Sequence, residues 1–338
     1  MTAAAPTRRI IVVTGGAGFI GSNIVARLSD DNRYDIVVCD RLGHADEAKW
    51  KNLAKHAVAD FWLPEELFDR LDRHKARIEA VVHMGAISAT TELDADLILR
   101  TNFSLSRDLW DWCAGQGIRL IYASSAATYG DGDLGFADDD SVEGLAALRP
   151  LNAYGYSKLL FDQYAVREAD RGHRPPQWAG LKFFNVYGPN EGHKGSMKSV
   201  IAHIWPKVSA GETVTLFRSH RPEYEDGGQL RDFVYVADVV DIIAWLLDAP
   251  DVSGIYNAGT GQARSFKDLA AAVFAAAGQT PSITYVDTPE SIRDRYQYFT
   301  EARMERLRAA GYPGQATPLE EGVRRYVQDY LNLPDPYR

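Results

Sequence analysis

Cysteine is nearly absent: Cys39 and Cys113 are the only two in 338 residues. Two thiols build neither a disulfide framework nor a cysteine metal cluster, so no metal site is expected and a reducing compartment fits. No apolar run approaches the roughly 20 residues of a membrane span, so no membrane partner is expected. Near the N-terminus, the four apolar residues of "RRIIVVTGG" are too few for a secretion signal, which points to a cytoplasmic protein. Positive charge is outweighed, with 37 Lys and Arg against 46 Asp and Glu. The net charge of −9 argues against a nucleic-acid partner, yet leaves room for a local basic pocket that takes an anionic ligand. Internal repeats, low-complexity tracts and obvious linkers are missing too. What is present, 46% hydrophobic and 25% charged residues, is the composition of an ordinary globular protein with ample core. The acidic runs "DDDSVE" and "PEYEDGG" read as solvated loops.

Short β-branched runs alternate with helical patterns. "IIVVTGG", "DIVVCD" (35–40), "AVVHMGA" (80–86) and "LIYASS" (120–125) read as buried strands. Ile20, Ile24, Val25 and Leu28 are spaced as one face of a helix, and "DLILRTNFSLSRDLWDWCAGQG" reads as a helix ending at glycine. This alternation predicts a doubly wound α/β fold with a parallel sheet of the Rossmann type. Further on, "LKFFNVYGP" (181–189) reads as one more strand and "RDFVYVADVVDIIAWLLDAP" as a strand turning into a helix. "GIYNAGTG" then reads as a strand and turn before the helix "SFKDLAAAVFAAAG". A dinucleotide-binding domain is expected over 1–186, with 232–262 returning to it. A smaller α/β substrate-binding portion is expected over 187–231 and 263–338.

Gly16-Ala17-Gly18-Phe19-Ile20-Gly21 satisfies G-x-G-x-x-G, and Gly15 offers a second glycine register. The motif follows a strand and opens a helix, whose N-terminus would face a pyrophosphate. Asp40 ends the next strand 19 residues after Gly21, where a carboxylate reaches a ribose hydroxyl. A merely tight strand–helix turn is the plainer reading, but the context favours a dinucleotide. Asp40 suits NAD, whereas Arg41 and Lys49 beside it suit the extra phosphate of NADP. NADP is expected, with NAD left open.

Tyr154 and Lys158 in "YGYSK" share a helix face, since residues four apart are neighbours. A nearby ammonium lowers a phenol's pKa, and the resulting base can take an alcohol's proton as hydride leaves to a nicotinamide. Ser125, at the end of "LIYASS", can hydrogen-bond the same oxygen. Alone, Tyr-x-x-x-Lys is a common accident of a helix start; with the glycine turn and the strand-end serine it reads as chemistry. Tyr156 has no lysine four residues on and is assigned to packing.

The segments "TGGAGFIGSN", "ASSAATYG", "YGYSK", "FFNVYGP", "RDFVYVADV" and "NAGTG" span essentially the whole chain. They resemble the extended short-chain dehydrogenase/reductase superfamily of nucleotide-sugar epimerases and dehydratases. Dehydratases of that superfamily carry an acidic pair after the strand-end Ser/Thr. Ala126 and Ala127 stand there instead, so the resemblance implies epimerisation or simple redox rather than elimination. Ala89-Thr90-Thr91-Glu92, "GPNEGHKGSM" (188–197) and "RYQYFT" (295–300) are similar to the ADP-glycero-manno-heptose 6-epimerases of lipopolysaccharide-core biosynthesis. Ala89 departs from a usual serine and Asn190 from a common arginine. The stretch "RSHRPEYEDGGQLRD" is longer than in that family.

That resemblance implies an isomerase that oxidises C6 of ADP-D-glycero-D-manno-heptose to a ketone. Hydride then returns to the opposite face, giving the L-glycero epimer without net use of the nicotinamide. Tyr154 and Lys194 would be the two acid/base groups, with Lys158 and Ser125 supporting the tyrosine. Two are needed because the alcohol oxygen lies in different places in the two epimers. The resemblance also implies cofactor contacts at Gly15, Gly18, Phe19, Ile20 and Gly21, and at Asp40, Arg41 and Lys49. Gly85, Ala86, Asn102, Lys158 and Val186 complete that set. ADP-sugar contacts would fall on Thr90, Asn185, Ser196, His203, Phe217, Arg231 and Tyr296. Arg231 is a fork suited to a diphosphate or a plain surface arginine, and His203 and Tyr296 read equally as core. Glycines 188, 192 and 195 would let the loop carry Lys194, whose plainer reading is a solvated surface lysine. A homo-oligomer is expected from the resemblance alone.

Another nucleotide-sugar 4-epimerase or reductase of the same superfamily is the second reading, and it would not need Lys194. A non-catalytic NADP sensor needs only the glycine turn, so the presence of Tyr154 and Lys158 argues against it.

Overall fold

The structure, a computed structural model, describes residues 8–44, 48–90, 92–293 and 297–338. The first half runs β1 (Ile10–Thr14), α1 (Phe19–Asp31), β2 (Asp35–Cys39), β3 (Asp60–Trp62) and α2 (Leu67–His74). It continues with β4 (Ile78–His83), α3 (Leu105–Gln116), β5 (Arg119–Ser125), α4 (Ala153–Asp170) and β6 (Trp178–Phe183). Next come β7 (Asn185–Tyr187), α5 (Val200–Ser209), β8 (Val214–Phe217), β9 (Leu230–Tyr235) and α6 (Val236–Asp248). The chain ends with β10 (Gly254–Ala258), β11 (Ala263–Ser265), α7 (Phe266–Ala276), β12 (Ile283–Val286) and α8 (Leu319–Tyr326).

Seven strands form one sheet in the order β10-β6-β5-β4-β1-β2-β3, parallel at every pairing. This is the doubly wound Rossmann order with one further strand beyond β6. The alternation along β1 explains the two-sided cover. Ile11 and Val13 pack with Ile24, Val25 and Leu28 of α1 and with Val239, Val240 and Ile243 of α6. Their neighbours Ile10 and Val12 pack on the other face with Leu67 and Leu71 of α2, Leu109 and Trp110 of α3, and Leu159 and Phe161 of α4. A strand buried on both faces has no polar alternation to show, which is why "IIVV" is uniformly apolar.

Two small sheets, β11-β9-β7 and β12-β8, lie outside the main one. The stretch 181–189, expected as one strand, is two. β6 ends at Phe183, and the amide of Phe184 donates to Ala258 O at the last residue of β10. With no main-sheet partner left, the chain turns and Asn185–Tyr187 pairs with Phe233–Tyr235 instead. Asn185, expected inside a single strand, therefore begins a second one.

The carboxyl ends of β1, β4, β5 and β6 bring Thr14, His83, Ser125 and Phe183 to one edge of the sheet. The order of strands reverses there, where open α/β sheets form their ligand crevice.

Candidate active site

A cavity of about 430 Å³ opens along that edge. At one end lie Gly15, Gly18, Phe19, Ile20, Gly21, Asp40 and Lys49; Gly85, Ala86, Ser88 and Val186 line its middle; Ser125, Tyr154 and Lys158 sit at the other end, and His193 and Lys194 join the lining from the 188–197 loop. The sequence motifs, scattered over almost 180 residues, thus face one space.

The glycine turn is as close-packed as its residues allow. A Cβ at Gly21 would stand 2.1 Å from Gly15 O, and one at Gly15 would stand 2.6 Å from Gly85 N. Only glycine admits that approach, and the amides at the start of α1 stay open toward the cavity. Beside the turn, Asp40 accepts from Ala17 N at 2.9 Å, Arg41 N at 2.7 Å and Lys49 Nζ at 2.7 Å. Lys49 also donates to Arg41 O at 2.7 Å, so two of its three donors are used. The Arg41 guanidinium does not line the cavity; it pairs with Glu65 on the surface. The residues present therefore suit an elongated dinucleotide, with a carboxylate and an ammonium at its ribose end.

Asn102 is buried and holds the 84–88 segment rather than lining the cavity. Its Oδ1 accepts from Ile87 N at 2.8 Å and its Nδ2 donates to Ile87 O at 2.9 Å. Below it, His83 bridges Thr14 Oγ1 at 2.6 Å and Ser106 Oγ at 2.9 Å. Burial, with help from the Lys158 charge, pushes its imidazole down to about 3, so it is neutral.

Asn152 caps α4 by accepting from Gly155 N at 2.8 Å. Gly155 lets the helix start touch the turn after β5, since a Cβ there would stand 2.6 Å from Ala127 O. The contact sets Tyr154 against Ser125, close enough for the hydroxyl to interact with the tyrosine oxygen. One helical turn on, the buried ammonium of Lys158 donates to Ala123 O at 2.9 Å. Burial pushes Lys158 down to about 8, against the opposing pull of Asp162. Tyr154 does not show the lowered pKa expected from its lysine. Burial raises its phenol above the ordinary value, the Ser125 bond opposes that rise, and Asp162 adds to it. The lysine aims at the β5 carbonyl instead. Tyr156, expected to pack, is 51% exposed. It lies about 200° round the helix from Tyr154, on the solvent side.

The 188–197 loop is held from below. Asn23 Nδ2 donates to Pro189 O at 3.0 Å, and Asn190 Nδ2 donates to Ser22 Oγ at 3.0 Å. The buried amide of Asn52 donates to Ala17 O at 2.9 Å in the glycine turn, to Asn190 O at 3.2 Å and to His193 Nδ1 at 3.2 Å. Burial, then the charges of Lys49 and Lys194, push His193 down to about 4, leaving a neutral acceptor. The Glu191 carboxylate is buried and accepts from Ser199 N at 2.6 Å and Ser199 Oγ at 2.5 Å. Gly195 takes the left-handed φ of 54°, and Gly188 a φ of 148°; Gly192 has neither a positive φ nor a close neighbour, so its freedom is not used. Lys194 is no solvated lysine. Its Nζ lies 5.2 Å from the Phe19 ring centroid, and burial lowers its pKa against the opposing charge of Glu191.

The residues expected at the sugar are more dispersed. Asn185, Ser196 and Thr90 are exposed and lie off the cavity wall. His203, read as a possible core residue, is exposed on α5 and donates to Ser196 O at 3.1 Å. Arg231 on β9 donates to Gln297 O and to Leu230 O, and stacks over Phe266 at 5.6 Å. Phe217 ends β8. Tyr296 and Thr91 lie outside the described residues. Residues that sequence reasoning passed over include Asn52, Glu191, Ser88 and Phe184; Asn52 and Ser88 sit in no motif, whereas Glu191 lies inside "GPNEGHKGSM" and Phe184 inside "FFNVYGP".

A Rossmann sheet whose switch crevice holds a glycine turn, a strand-end serine and Tyr-x-x-x-Lys on one helix defines the short-chain dehydrogenase/reductase class. Within it, the chain belongs to the NAD dependent epimerase/dehydratase family, whose model matches residues 11–259. It is 50% identical over 328 residues to an ADP-L-glycero-D-manno-heptose-6-epimerase of Nitratidesulfovibrio vulgaris, covering 96% of this chain and 99% of the relative. Among solved structures it is similar to the Helicobacter pylori ADP-L-glycero-D-manno-heptose-6-epimerase, with 27% identity and a TM-score of 0.76 over 95% of this chain and 96% of that one. A Thermus thermophilus UDP-glucose 4-epimerase in complex with NAD matches at 27% identity and a TM-score of 0.69, covering 93% and 96%. Among the described residues no helix is long and apolar enough to cross a membrane.

Proposed function

We propose that this protein is an epimerase that interconverts the two C6 epimers of ADP-glycero-manno-heptose. The observation that carries the reading is the sharing of one cavity by Tyr154 with Lys158 and by Lys194. A 4-epimerase or reductase built on the same sheet has no need of the second group. The family's nicotinamide cofactor suits the glycine turn, and when bound it takes hydride from C6 and returns it.

Tyr154 and Lys194 divide the proton work. Whichever lies beside the alcohol oxygen takes its proton as the C6 ketone forms. The sugar then turns its other face, and the second group returns a proton as hydride comes back. Ser125 holds the oxygen, and the Lys158 ammonium supports the phenolate. Burial favours the neutral amine of Lys194, which is the form that accepts a proton. The cofactor is NADP: Lys49 beside Asp40 is the cation for the extra phosphate, a role for which Arg41, paired to Glu65, is less suited. Residues 1–186 with 232–262 form the dinucleotide-binding part and 187–231 with 263–338 the substrate part; Ser196, His203, Phe217, Arg231 and Tyr296 of the latter meet the ADP-sugar together with Thr90 and Asn185 of the former. The enzyme acts in the cytoplasm as a homo-oligomer.

The test is incubation of the purified protein with ADP-D-glycero-D-manno-heptose, no cofactor added, and chromatographic resolution of the C6 epimers. Interconversion is expected. Folded, cofactor-loaded protein that leaves the substrate unchanged would overturn the reading.

A further inference from the structure

The helix face that carries Tyr154 and Lys158 continues one turn further to Asp162, and that residue is fully buried. It meets Lys182 of β6 at 2.8 Å, and both side chains are 0% exposed. Ser124 Oγ donates to Asp162 Oδ2 at 2.7 Å, and Tyr122 OH to Oδ1 at 3.2 Å. Lys182 also donates to Thr128 Oγ1 at 2.7 Å, and Thr128 Oγ1 donates in turn to Ser125 O at 2.8 Å. The pair thus ties α4, the end of β5 and the turn after it into one brace beneath Ser125 and Tyr154.

We propose that the Asp162–Lys182 pair is a positioning device for the acid/base centre, holding Ser125 against Tyr154 while each partner offsets part of the charge that the other alone would project onto it. The inference rests on the epimerase reading for the role of Tyr154. A buried ion pair is seldom better for stability than a well-packed apolar pair, so stability alone does not account for its place here. Ser125 and Lys158 above it are buried, as the pair itself is, so a charge left unpaired would be felt strongly. The groups around the centre are His83 from β4, neutral, and Tyr122, Ser124 and Ser125 from β5. Thr128 and Tyr129 approach from the following turn, Lys182 from β6, and Lys158 and Asp162 from α4 itself. The ionisable lysines and carboxylate of this set are Lys158, Lys182 and Asp162, and Lys194 faces the same cavity from the 188–197 loop. Asp162 lies eight residues from Tyr154, about 12 Å along the helix. At an effective dielectric of about 20, one unbalanced charge at that distance moves a titration by about one pH unit.

Three variants read this out: Lys182→Met, Asp162→Asn and the double variant. The acid limb of the kcat profile should move up by about one pH unit in Lys182→Met, where the carboxylate stands alone. It should move down by a similar amount in Asp162→Asn, where the ammonium stands alone, and return to its original place in the double variant. A brace of purely structural kind would change stability without these opposed shifts. Asp162→Asn is isosteric and carries the test should Lys182→Met fail to fold. A second measurement, the titration of the ¹³Cζ signal of Tyr154, assigned by its loss in Tyr154→Phe, needs no turnover and should show the same opposed displacements. Limbs that stay put, or that move in one direction in both single variants, would overturn the proposal. A wild-type protein without epimerase activity would overturn the function and leave the tyrosine titration to decide this inference on its own.

Discussion

Replacing Lys158 with methionine should make the protein more stable while disabling it. The ammonium is 4% exposed and its pKa falls from 10.5 in the open chain to about 8 in the fold. That fall corresponds to about 3 kcal/mol, the cost of keeping the charge buried. Methionine keeps the length and apolar stem and removes the cost, but it also removes the hydrogen bond to Ala123 O, worth about 1.5 kcal/mol. The net gain at pH 7 is about 1–2 kcal/mol, or about 2 °C in Tm for a chain of this size. Its pH dependence is the sharper signature. Because the folded value lies below the unfolded one, the lysine subtracts stability wherever both states are protonated, below pH 8. The loss fades as pH rises from about 8 toward 10.5, so the variant's advantage should disappear there and give way to a small deficit, because the neutral amine still donates to Ala123 O. Urea titrations of wild type and Lys158→Met at pH 7 and at pH 10 measure this directly. Epimerase turnover should meanwhile fall by about 10²–10⁴-fold, as the phenolate loses its supporting cation. A variant that is less stable at pH 7, or a stability difference that does not change with pH, would refute the reasoning.

Three further outcomes follow from the geometry. Tyr154→Phe and Lys194→Met should each lower epimerisation by about 10²–10⁴-fold, measured as C6 interconversion; full activity in both would sink the two-group mechanism. Lys49→Ala should weaken NADP binding by at least about 10-fold while leaving NAD binding within a few-fold, read by fluorescence titration of the two reduced cofactors. Gly21→Ala should purify without bound nicotinamide, seen as loss of the absorbance of the retained cofactor, because its Cβ would stand 2.1 Å from Gly15 O; retention at the normal level would show that the turn can shift.

The parts legible in the sequence are those whose cause is local. A glycine turn between a strand and a helix, and a tyrosine and lysine one helical turn apart, declare themselves because their partners lie within a few residues. Apolar strands buried on both faces do the same, which is why the doubly wound sheet could be read before it was seen. Where a residue's role depends on a distant neighbour, the same reading failed. Tyr156 sits beside Tyr154 in the chain and points to water. His203 follows an apolar pattern yet lies exposed at the outer edge of its helix. Arg41 was a candidate for a phosphate, and Glu65 of a later element holds it on the surface.

By itself, then, the sequence determined the sheet, the glycine turn and the Tyr154–Lys158 face, since backbone propensity and helical spacing act over one or two turns. Only the tertiary structure decided the surroundings that tune them. Strand order brings β6 beside β5 and so Lys182 under Asp162, 20 residues apart. The same order folds Asn52 against the glycine turn, 35 residues away, and against the 188–197 loop, over 138 and 141 residues. Desolvation, which lowers Lys158 and Lys194 and neutralises His193, is a property of the assembled cavity and has no signature in any short stretch of chain.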